Sequence, residues 1–166
     1  SFVPRTLRTD LRRRGRLRVA EAIRLGVDLA GGLGHIHRHG LVHRDVKPSN
    51  VIYVHGQPKL ADLGLVTHSS EARSFVGTEG FIPPEGPGTV KADLFALGRL
   101  LYEAVTGKDR CEFPELPSDL DSWPDREEFL EFNEVLTVLC APEPERRYSN
   151  AAEVAGDLNL ILAGRS

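Results

Sequence analysis

The segment from residue 41 to residue 66 departs from the helical pattern of the rest of the chain, and it constrains the fold more than any other feature. It contains short apolar runs at 41–42, 51–54, 59–61 and 65–66, which the polar strings HRDVKPSN, HGQP and DLG separate. Runs of this length, bounded by such strings, predict small strands, and HGQP predicts the turn of a hairpin. The chain must therefore carry charged loops at the ends of short strands.

A long amphipathic helix is predicted before this segment, over residues 18–39, and Gly40 is expected to end it. Its apolar positions, spaced by three and four residues, are Val19, Ile23, Val27, Ala30 and Leu33. The helix also contains Gly26, Gly31, Gly32 and Gly34. Each glycine costs roughly 1 kcal/mol relative to alanine, so we expect tertiary packing to hold the helix.

Helices are also predicted after the strand-rich segment. Residues 91–106 place leucines and a valine on one face, and Gly107 is expected to end this helix. Residues 67–89 predict a long ordered loop, and the proline-rich stretch 108–124 predicts an irregular connection. Two further helices are expected at about 125–140 and 149–163. We find no internal repeat, so the chain is predicted to form one mainly α unit over residues 1–166.

Composition excludes several classes of protein. Of the 166 residues, 40% are hydrophobic and 27% charged, which argues against disorder. No apolar stretch is long enough for a membrane span, and two cysteines are too few for a disulfide framework. The first 24 residues carry eight arginines, but no aromatic residue is interleaved for base stacking. A solvated helix is therefore favoured over a nucleic-acid surface, and a cytoplasmic location is expected.

The residues of HRDVKPSN and DLG favour phosphoryl transfer. Asp45 is suited to accept or orient a hydroxyl proton, and Lys47 can place an ammonium against a phosphoryl oxygen. Asn50 and Asp62, twelve residues apart, offer the hard oxygen ligands that Mg²⁺ prefers. A positioned hydroxyl, a metal clamp and charge neutralisation are what this reaction requires.

These motifs resemble those of the C-terminal lobe of a eukaryotic-type serine/threonine protein kinase, of the kind found in bacteria. HRDVKPSN resembles the kinase catalytic loop, and DLG stands where DFG is usual. GTEGFIPPE (77–85) is similar to the segment ending in A-P-E, DLFALG (93–98) to the start of the central helix, and PERRY (144–148) to a late P-x-x-R element. The five elements occur in family order. The resemblance implies a mainly α kinase lobe, a helical bundle with small β-hairpins at the catalytic cleft.

The resemblance implies an ATP- and Mg²⁺-dependent transfer to serine or threonine hydroxyls of proteins. Asp45, Lys47 and Thr78 would be catalytic: Lys47 would contact the γ-phosphate, and Thr78 would bridge the other two. Lys47, Asn50, Asp62 and Ile52 would contact the nucleotide, and Asn50 and Asp62 would hold the metal.

Further roles follow from the same resemblance. Glu85 and Arg147 would form a buried ion pair, and Asp93 would accept backbone hydrogen bonds from the His43–Arg44 turn. Leu63 would pack beneath His43. Arg44 would pair with a phosphate on the activation loop, with Ser74 as the expected site and Thr67, Ser69 and Ser70 as alternatives.

Several elements of the kinase family have no counterpart in this sequence. Nothing before Leu41 resembles the Gly-rich loop, the strand lysine or its glutamate partner. We therefore expect a lobe of a longer kinase that is inactive without its N-terminal lobe. Two alternatives stay open: a pseudokinase or scaffold lobe that acts as an interaction module, and a small-molecule phosphotransferase. His35, His37 and His39 invite a metal site, but helix-end packing is favoured.

Overall fold

The computed structural model describes residues 5–61, 67–68 and 78–164. The described helices are α1 (Leu7–Arg14), α2 (Val19–Arg38), α3 (Val90–Thr106), α4 (Arg126–Leu139) and α5 (Ala151–Leu162). The described strands are β1 (Leu41–Val42), β2 (Val51–Val54), β3 (Gln57–Leu60) and β4 (Thr67–His68). The predicted fold class, mainly α with small antiparallel strand pairs, is confirmed. None of the helices in the described ranges is both long and apolar enough to cross a membrane.

Helix α3 is the centre of the core. Thr89 caps its N-terminus by accepting a hydrogen bond from the backbone N–H of Ala92, and Gly107 ends it in the left-handed conformation at φ 74°. Its predicted apolar face is buried: Leu94, Leu97, Leu101 and Val105 are all 0% exposed. Helices α2 and α4 pack against α3, and α5 packs across both of them. The bundle therefore forms around α3, as predicted.

The glycines of α2 differ in how closely other residues pack against them. A Cβ at Gly26 would lie 2.7 Å from Leu158 Cδ1 and 3.1 Å from Leu101 Cδ1, so close helix packing requires glycine there. Gly31 and Gly32 would meet nothing within 4 Å. Packing therefore explains glycine at position 26, and nothing in the structure explains it at positions 31 and 32.

The strands form two small antiparallel pairs. β2 pairs with β3, so that Val51 faces Leu60 and Val54 faces Gln57. The turn between them is His55–Gly56 alone, two residues shorter than HGQP, because Gln57 and Pro58 already belong to β3. β1 pairs with β4. The predicted run 65–66 and part of the predicted loop, residues 69–77, lie outside the described residues.

The connection after α3 is irregular, as predicted. Within it the structure has single 3-10 turns at Arg110–Glu112 and Leu120–Ser122. Trp123 anchors its far end, because the indole is buried, meets the Phe129 ring edge-on at 5.3 Å between centroids, and lies 3.5 Å from the Arg16 guanidinium. Cys140 is buried in the core and Cys111 is exposed.

Candidate active site

The backbone of the HRDVKPSN loop is held by a buried carboxylate from α3. Asp93 is 2% exposed, and its Oδ2 accepts the backbone N–H of His43 at 2.8 Å while its Oδ1 accepts that of Arg44 at 3.0 Å. Arg44 has φ 77°, a left-handed conformation that is uncommon for residues other than glycine. Charge-assisted hydrogen bonds from the N–H of this strained residue and from that of the residue before it hold the turn. The contact expected of Asp93 is present.

His43 connects this turn to the residue that follows β3 and to Asp45, two residues further along the chain. The ring is fully buried, and its Nε2 lies 2.8 Å from the carbonyl oxygen of Ala61. Its Nδ1 accepts the backbone N–H of Asp45 at 3.2 Å. Because Nδ1 accepts, the proton is assigned to Nε2, which then donates to Ala61. The neutral ring therefore orients the backbone at Asp45.

The carboxylate of Asp45 is the centre of a polar cluster. It is 8% exposed, and the Nδ2 group of Asn50 donates both to its Oδ2 at 3.0 Å and to its backbone oxygen at 2.8 Å. The Lys47 Nζ atom lies 3.4 Å from the same Oδ2. The single 3-10 turn Pro48–Asn50 folds the chain back, which brings Asn50 onto Asp45.

Thr78 completes the cluster from a distant part of the chain. Its Oγ1 accepts a hydrogen bond from Lys47 Nζ at 2.8 Å and donates to Asp45 Oδ1 at a long 3.4 Å. One hydroxyl thus lies between the ammonium and the carboxylate, as the resemblance leads one to expect. Asp45 also lines a small cleft of about 10 Å³, together with Phe81, Ile82 and Pro83.

The predicted metal and nucleotide residues are only partly described. Asn50 uses its Nδ2 group on Asp45, and no described residue donates to its Oδ1 oxygen, which is the kind of ligand that Mg²⁺ takes. Ile52 lies half-buried on β2, paired with Lys59. Asp62, the second predicted ligand, lies outside the described residues. No group of three or more His, Cys, Asp or Glu side chains within the described ranges is placed to hold a metal.

The ion pair between Glu85 and Arg147 is present, but the expectation that it is buried is wrong for one partner. Arg147 donates to Glu85 through both terminal nitrogens, at 2.7 and 3.0 Å. The Arg147 side chain is 0% exposed, whereas the Glu85 side chain is 28% exposed. Arg147 also donates to the carbonyl oxygens of Ala141, Pro142 and Lys91. Glu85 lies in the segment just before α3, which leaves one side of its carboxylate in solvent.

His37 contacts Asp93, and the sequence interpretation did not predict this contact. Its Nε2 lies 2.8 Å from Asp93 Oδ2, and its side chain is 7% exposed. Helix-end packing was the favoured interpretation, and the ring is indeed buried at the end of α2. The only available signal was a histidine facing the core near a helix end. His35 and His39 form a separate ring pair, with centroids 4.9 Å apart.

Of the two predicted regulatory residues, Arg44 lies within the described residues and Ser74 does not. Ser74 and Leu63 lie outside the described residues, as do the alternatives Ser69 and Ser70. Arg44 lines the cleft beside Asp45 and Thr78. Its expected pairing with a phosphate therefore stays a prediction.

Comparison with known proteins agrees with the motifs. Residues 2–156 match the protein kinase domain. The chain is 34% identical over 158 residues to the serine/threonine-protein kinase PknG of Mycolicibacterium smegmatis, covering 90% of this chain and 20% of that protein. It is 30% identical over 181 residues to PknL of Mycobacterium tuberculosis, covering 94% and 44%. It is 33% identical over 113 residues to PrkC of Bacillus subtilis, covering 62% and 17%.

All three relatives are named serine/threonine-protein kinases, and all three are bacterial. The chain spans between about a fifth and less than half of the length of the first relatives it matches. The match covers the HRDVKPSN loop, the Thr78 segment and the central helix, which are the elements that build the polar cluster. The chain therefore belongs to the protein kinase domain family.

Proposed function

We propose that this chain provides the catalytic loop, metal ligands and activation segment of a kinase that transfers the γ-phosphoryl group of ATP to serine or threonine hydroxyls of proteins. The observation that carries the proposal is the position of the Thr78 hydroxyl, 2.8 Å from Lys47 Nζ and 3.4 Å from Asp45 Oδ1. A carboxylate and an ammonium that contact the same hydroxyl lie close enough for the first to bind a substrate hydroxyl and the second a phosphoryl oxygen. The names of the relatives support the same acceptor class.

Asp45 is the proposed base. Its Oδ2 is occupied by Asn50 and Lys47, whereas its Oδ1 accepts a long hydrogen bond from Thr78, which also lines the cleft. A substrate hydroxyl entering the cleft would donate to Oδ1, which orients its oxygen for attack and then takes the proton. General-base assistance of this kind contributes typically ~10²–10⁴ in rate.

Lys47 is the proposed phosphate contact. Its ammonium contacts both Asp45 and Thr78, and its side chain is 26% exposed, so it can turn toward a phosphoryl group at the cleft mouth. A positive charge held there favours the additional negative charge that develops on the transferring group. By resemblance, a lysine at this position also accompanies Ser/Thr rather than Tyr acceptors.

Among the described residues, Asn50 suits a magnesium-bound nucleotide, because its Oδ1 is the kind of oxygen that Mg²⁺ takes. Asn50 Oδ1 and Asp62 would hold the metal, and Ile52 would contact the nucleotide base. When bound, the metal neutralises phosphate charge and aligns the transferring group. Asn50 has a second task in this chain, since its two hydrogen bonds fix the Asp45 carboxylate at the same time.

The rest of the proposed enzyme lies outside these 166 residues. We propose that a Gly-rich strand and a strand lysine, provided by an N-terminal lobe, complete the nucleotide site and are needed for activity. We also propose that Arg44 receives a phosphate from Ser74. The scaffold and small-molecule alternatives have no contact in the described residues that favours them over protein phosphorylation.

The test is a transfer assay with the protein that carries this chain together with its N-terminal lobe. With radiolabelled ATP, Mg²⁺ and casein as acceptor, the wild-type protein should yield phosphoserine or phosphothreonine. Asp45→Asn should lower the rate by about 10³-fold while the melting temperature stays near that of the wild type. Asp121→Asn, at a side chain that is 96% exposed, serves as the matched control. A wild-type protein that binds partners but transfers no phosphate would favour the scaffold alternative.

A further inference from the structure

A buried carboxylate in α3 other than Asp93 organises the region beneath the Thr78 segment. Glu103 is 3% exposed. Its Oε1 accepts a hydrogen bond from Arg8 of α1 at 2.6 Å, and its Oε2 accepts the backbone N–H of Arg110 at 2.8 Å. The guanidinium of Arg110 lies 3.6 Å from the same Oε2. Because a buried charge is costly unless it is paired, Glu103 fixes the position of Arg110.

Arg110 in turn contacts the backbone of residues 79–81. Its Nε donates to the carbonyl oxygen of Glu79 at 3.1 Å, and its guanidinium lies 4.9 Å from the centroid of the Phe81 ring. Arg99 joins the two segments, since it donates to the carbonyl oxygens of Arg110 at 3.1 Å and Gly80 at 3.4 Å. Two arginines therefore support one short stretch of backbone.

That stretch is a tight turn that needs glycine for two reasons. The N–H of Phe81 donates to the carbonyl oxygen of Thr78 at 3.1 Å, and Gly80 has φ 88°, as the third residue of a type II turn requires. A Cβ at Gly80 would lie 2.6 Å from Arg110 Cγ and 2.9 Å from Cys111 Sγ. The turn and the Arg110 side chain are thus in direct contact, with no space for another side chain between them.

The first residue of this turn is Thr78, whose hydroxyl lies between Lys47 and Asp45. We infer that Arg110 is a positioning residue: anchored by Glu103, it holds the 78–81 turn in the conformation that keeps the Thr78 hydroxyl on the catalytic pair. This inference rests on the proposed function for its effect on catalysis. Its structural part, the order of the turn, can be measured without any activity.

The first experiment is hydrogen exchange of this chain, followed by mass spectrometry, with Arg110→Ala, Arg110→Lys and the control Arg126→Ala. Arg126 is an arginine on α4 whose partners Asp121 and Glu127 are exposed. In Arg110→Ala the peptide covering residues 78–86 should exchange about tenfold faster, while α4 and α5 keep wild-type protection. In Arg110→Lys the exchange rate of the same peptide should lie between those of the wild type and Arg110→Ala, because lysine keeps a charge beside Glu103 but lacks the planar guanidinium.

The second experiment measures kinetics in the protein with both lobes. Arg110→Ala should lower kcat about tenfold, the direction expected for a displaced Thr78 hydroxyl, and leave KM for ATP unchanged, because no described contact joins the turn to Asn50. A 78–86 peptide that exchanges as in Arg126→Ala would overturn the inference. Equal acceleration throughout the chain in both Arg110 variants would overturn it too, since the role would then be general stability. An inactive wild-type protein would contradict only the proposed function.

Discussion

His37 Nε2 lies 2.8 Å from Asp93 Oδ2, so the carboxylate that holds the His43–Arg44 turn also joins the end of α2 to the start of α3. The same oxygen accepts the backbone N–H of His43, and the second oxygen accepts that of Arg44. Asp93 therefore connects three parts of the chain through one buried charge. The left-handed conformation of Arg44 depends on this connection, because nothing in its residue type favours it.

Asp93→Asn should destabilise the chain strongly. The amide keeps one acceptor but turns an N–H₂ group toward groups that now donate to Asp93, and it removes the charge from three hydrogen bonds. We expect the free energy of unfolding to fall by about 2–4 kcal/mol. Urea unfolding followed by circular dichroism measures the change. Asp121→Asn, at an exposed side chain, should move the midpoint little. Equal midpoints for the two variants would show that the Asp93 charge is not needed.

Thr78→Val tests the hydroxyl between Asp45 and Lys47. Valine has nearly the same shape but neither donates nor accepts, so the acid and the ammonium would lose their common partner. In the protein with both lobes we expect kcat to fall about 10²-fold. Thr78→Ser, which keeps the hydroxyl, should retain most of the rate. Valine and serine variants with the same kcat would mean that the hydroxyl does not position the catalytic pair.

The helices and the members of the polar cluster were predictable because their signals are local. Thr89, Gly40 and Gly107 lie at helix ends and act through their own backbone neighbours. The contacts among Asp45, Lys47 and Asn50 arise within a few residues, and the expected contact to Thr78 came from the family motif. Gly26 was predictable as a packing position in principle, but only the fold reveals that Leu158 and Leu101 require it.

The contacts that sequence reasoning missed join distant segments through ordinary residue types. Glu103 and Arg110 are seven residues apart, yet their importance depends on Arg8 and on the turn at Gly80, which only the fold brings to them. The partial exposure of Glu85 was equally hidden, because a motif indicates a partner but not how much solvent reaches it. The sequence therefore predicted that Glu85 pairs with Arg147, but not how far the Glu85 carboxylate is exposed.

Arg147→Ala should be far more destabilising than the same change at its neighbour. Arg147 is fully buried and donates to Glu85 and to three backbone carbonyl oxygens, which would all lose their donor. Because the Glu85 carboxylate stays partly solvated, most of the cost comes from the carbonyl oxygens, and we expect a loss of about 2–4 kcal/mol. Arg146→Ala is the matched control, since that side chain is 75% exposed and should change stability by less than about 0.5 kcal/mol.

Glu85→Gln completes this comparison. Its carboxylate is 28% exposed and water can replace part of what it loses, so we expect a cost of about 1 kcal/mol. Thermal or urea unfolding of the three variants measures the order Arg147, Glu85, Arg146. A loss at Glu85 as large as that at Arg147 would mean that the ion pair, and not the carbonyl contacts of Arg147, supplies the stability.

Glu21→Gln tests how the amino-terminal part of the chain depends on pH. Hydrogen bonds from the Arg14 guanidinium, followed by that from the Arg18 backbone N–H, lower the pKa of the Glu21 carboxyl to about 2 from its ordinary 4.5. Since the pKa is lower in the folded chain, the unfolded chain binds the proton first as the pH falls. The stability that Glu21 contributes is therefore complete above about pH 4.5 and is lost progressively as the pH falls toward 2.

We therefore expect Glu21→Gln to be less stable than the wild type at pH 6, and the difference to shrink as the pH is lowered from 5 toward 2. Urea midpoints measured at several pH values in that interval give the difference directly. Glu127→Gln makes the same change in net charge at a side chain that is 82% exposed, and it controls for general charge effects. A Glu21→Gln curve that stays parallel to the wild-type curve down to pH 2 would show that the Arg14–Glu21 pair adds no pH-dependent stability, because the linkage requires the two curves to converge.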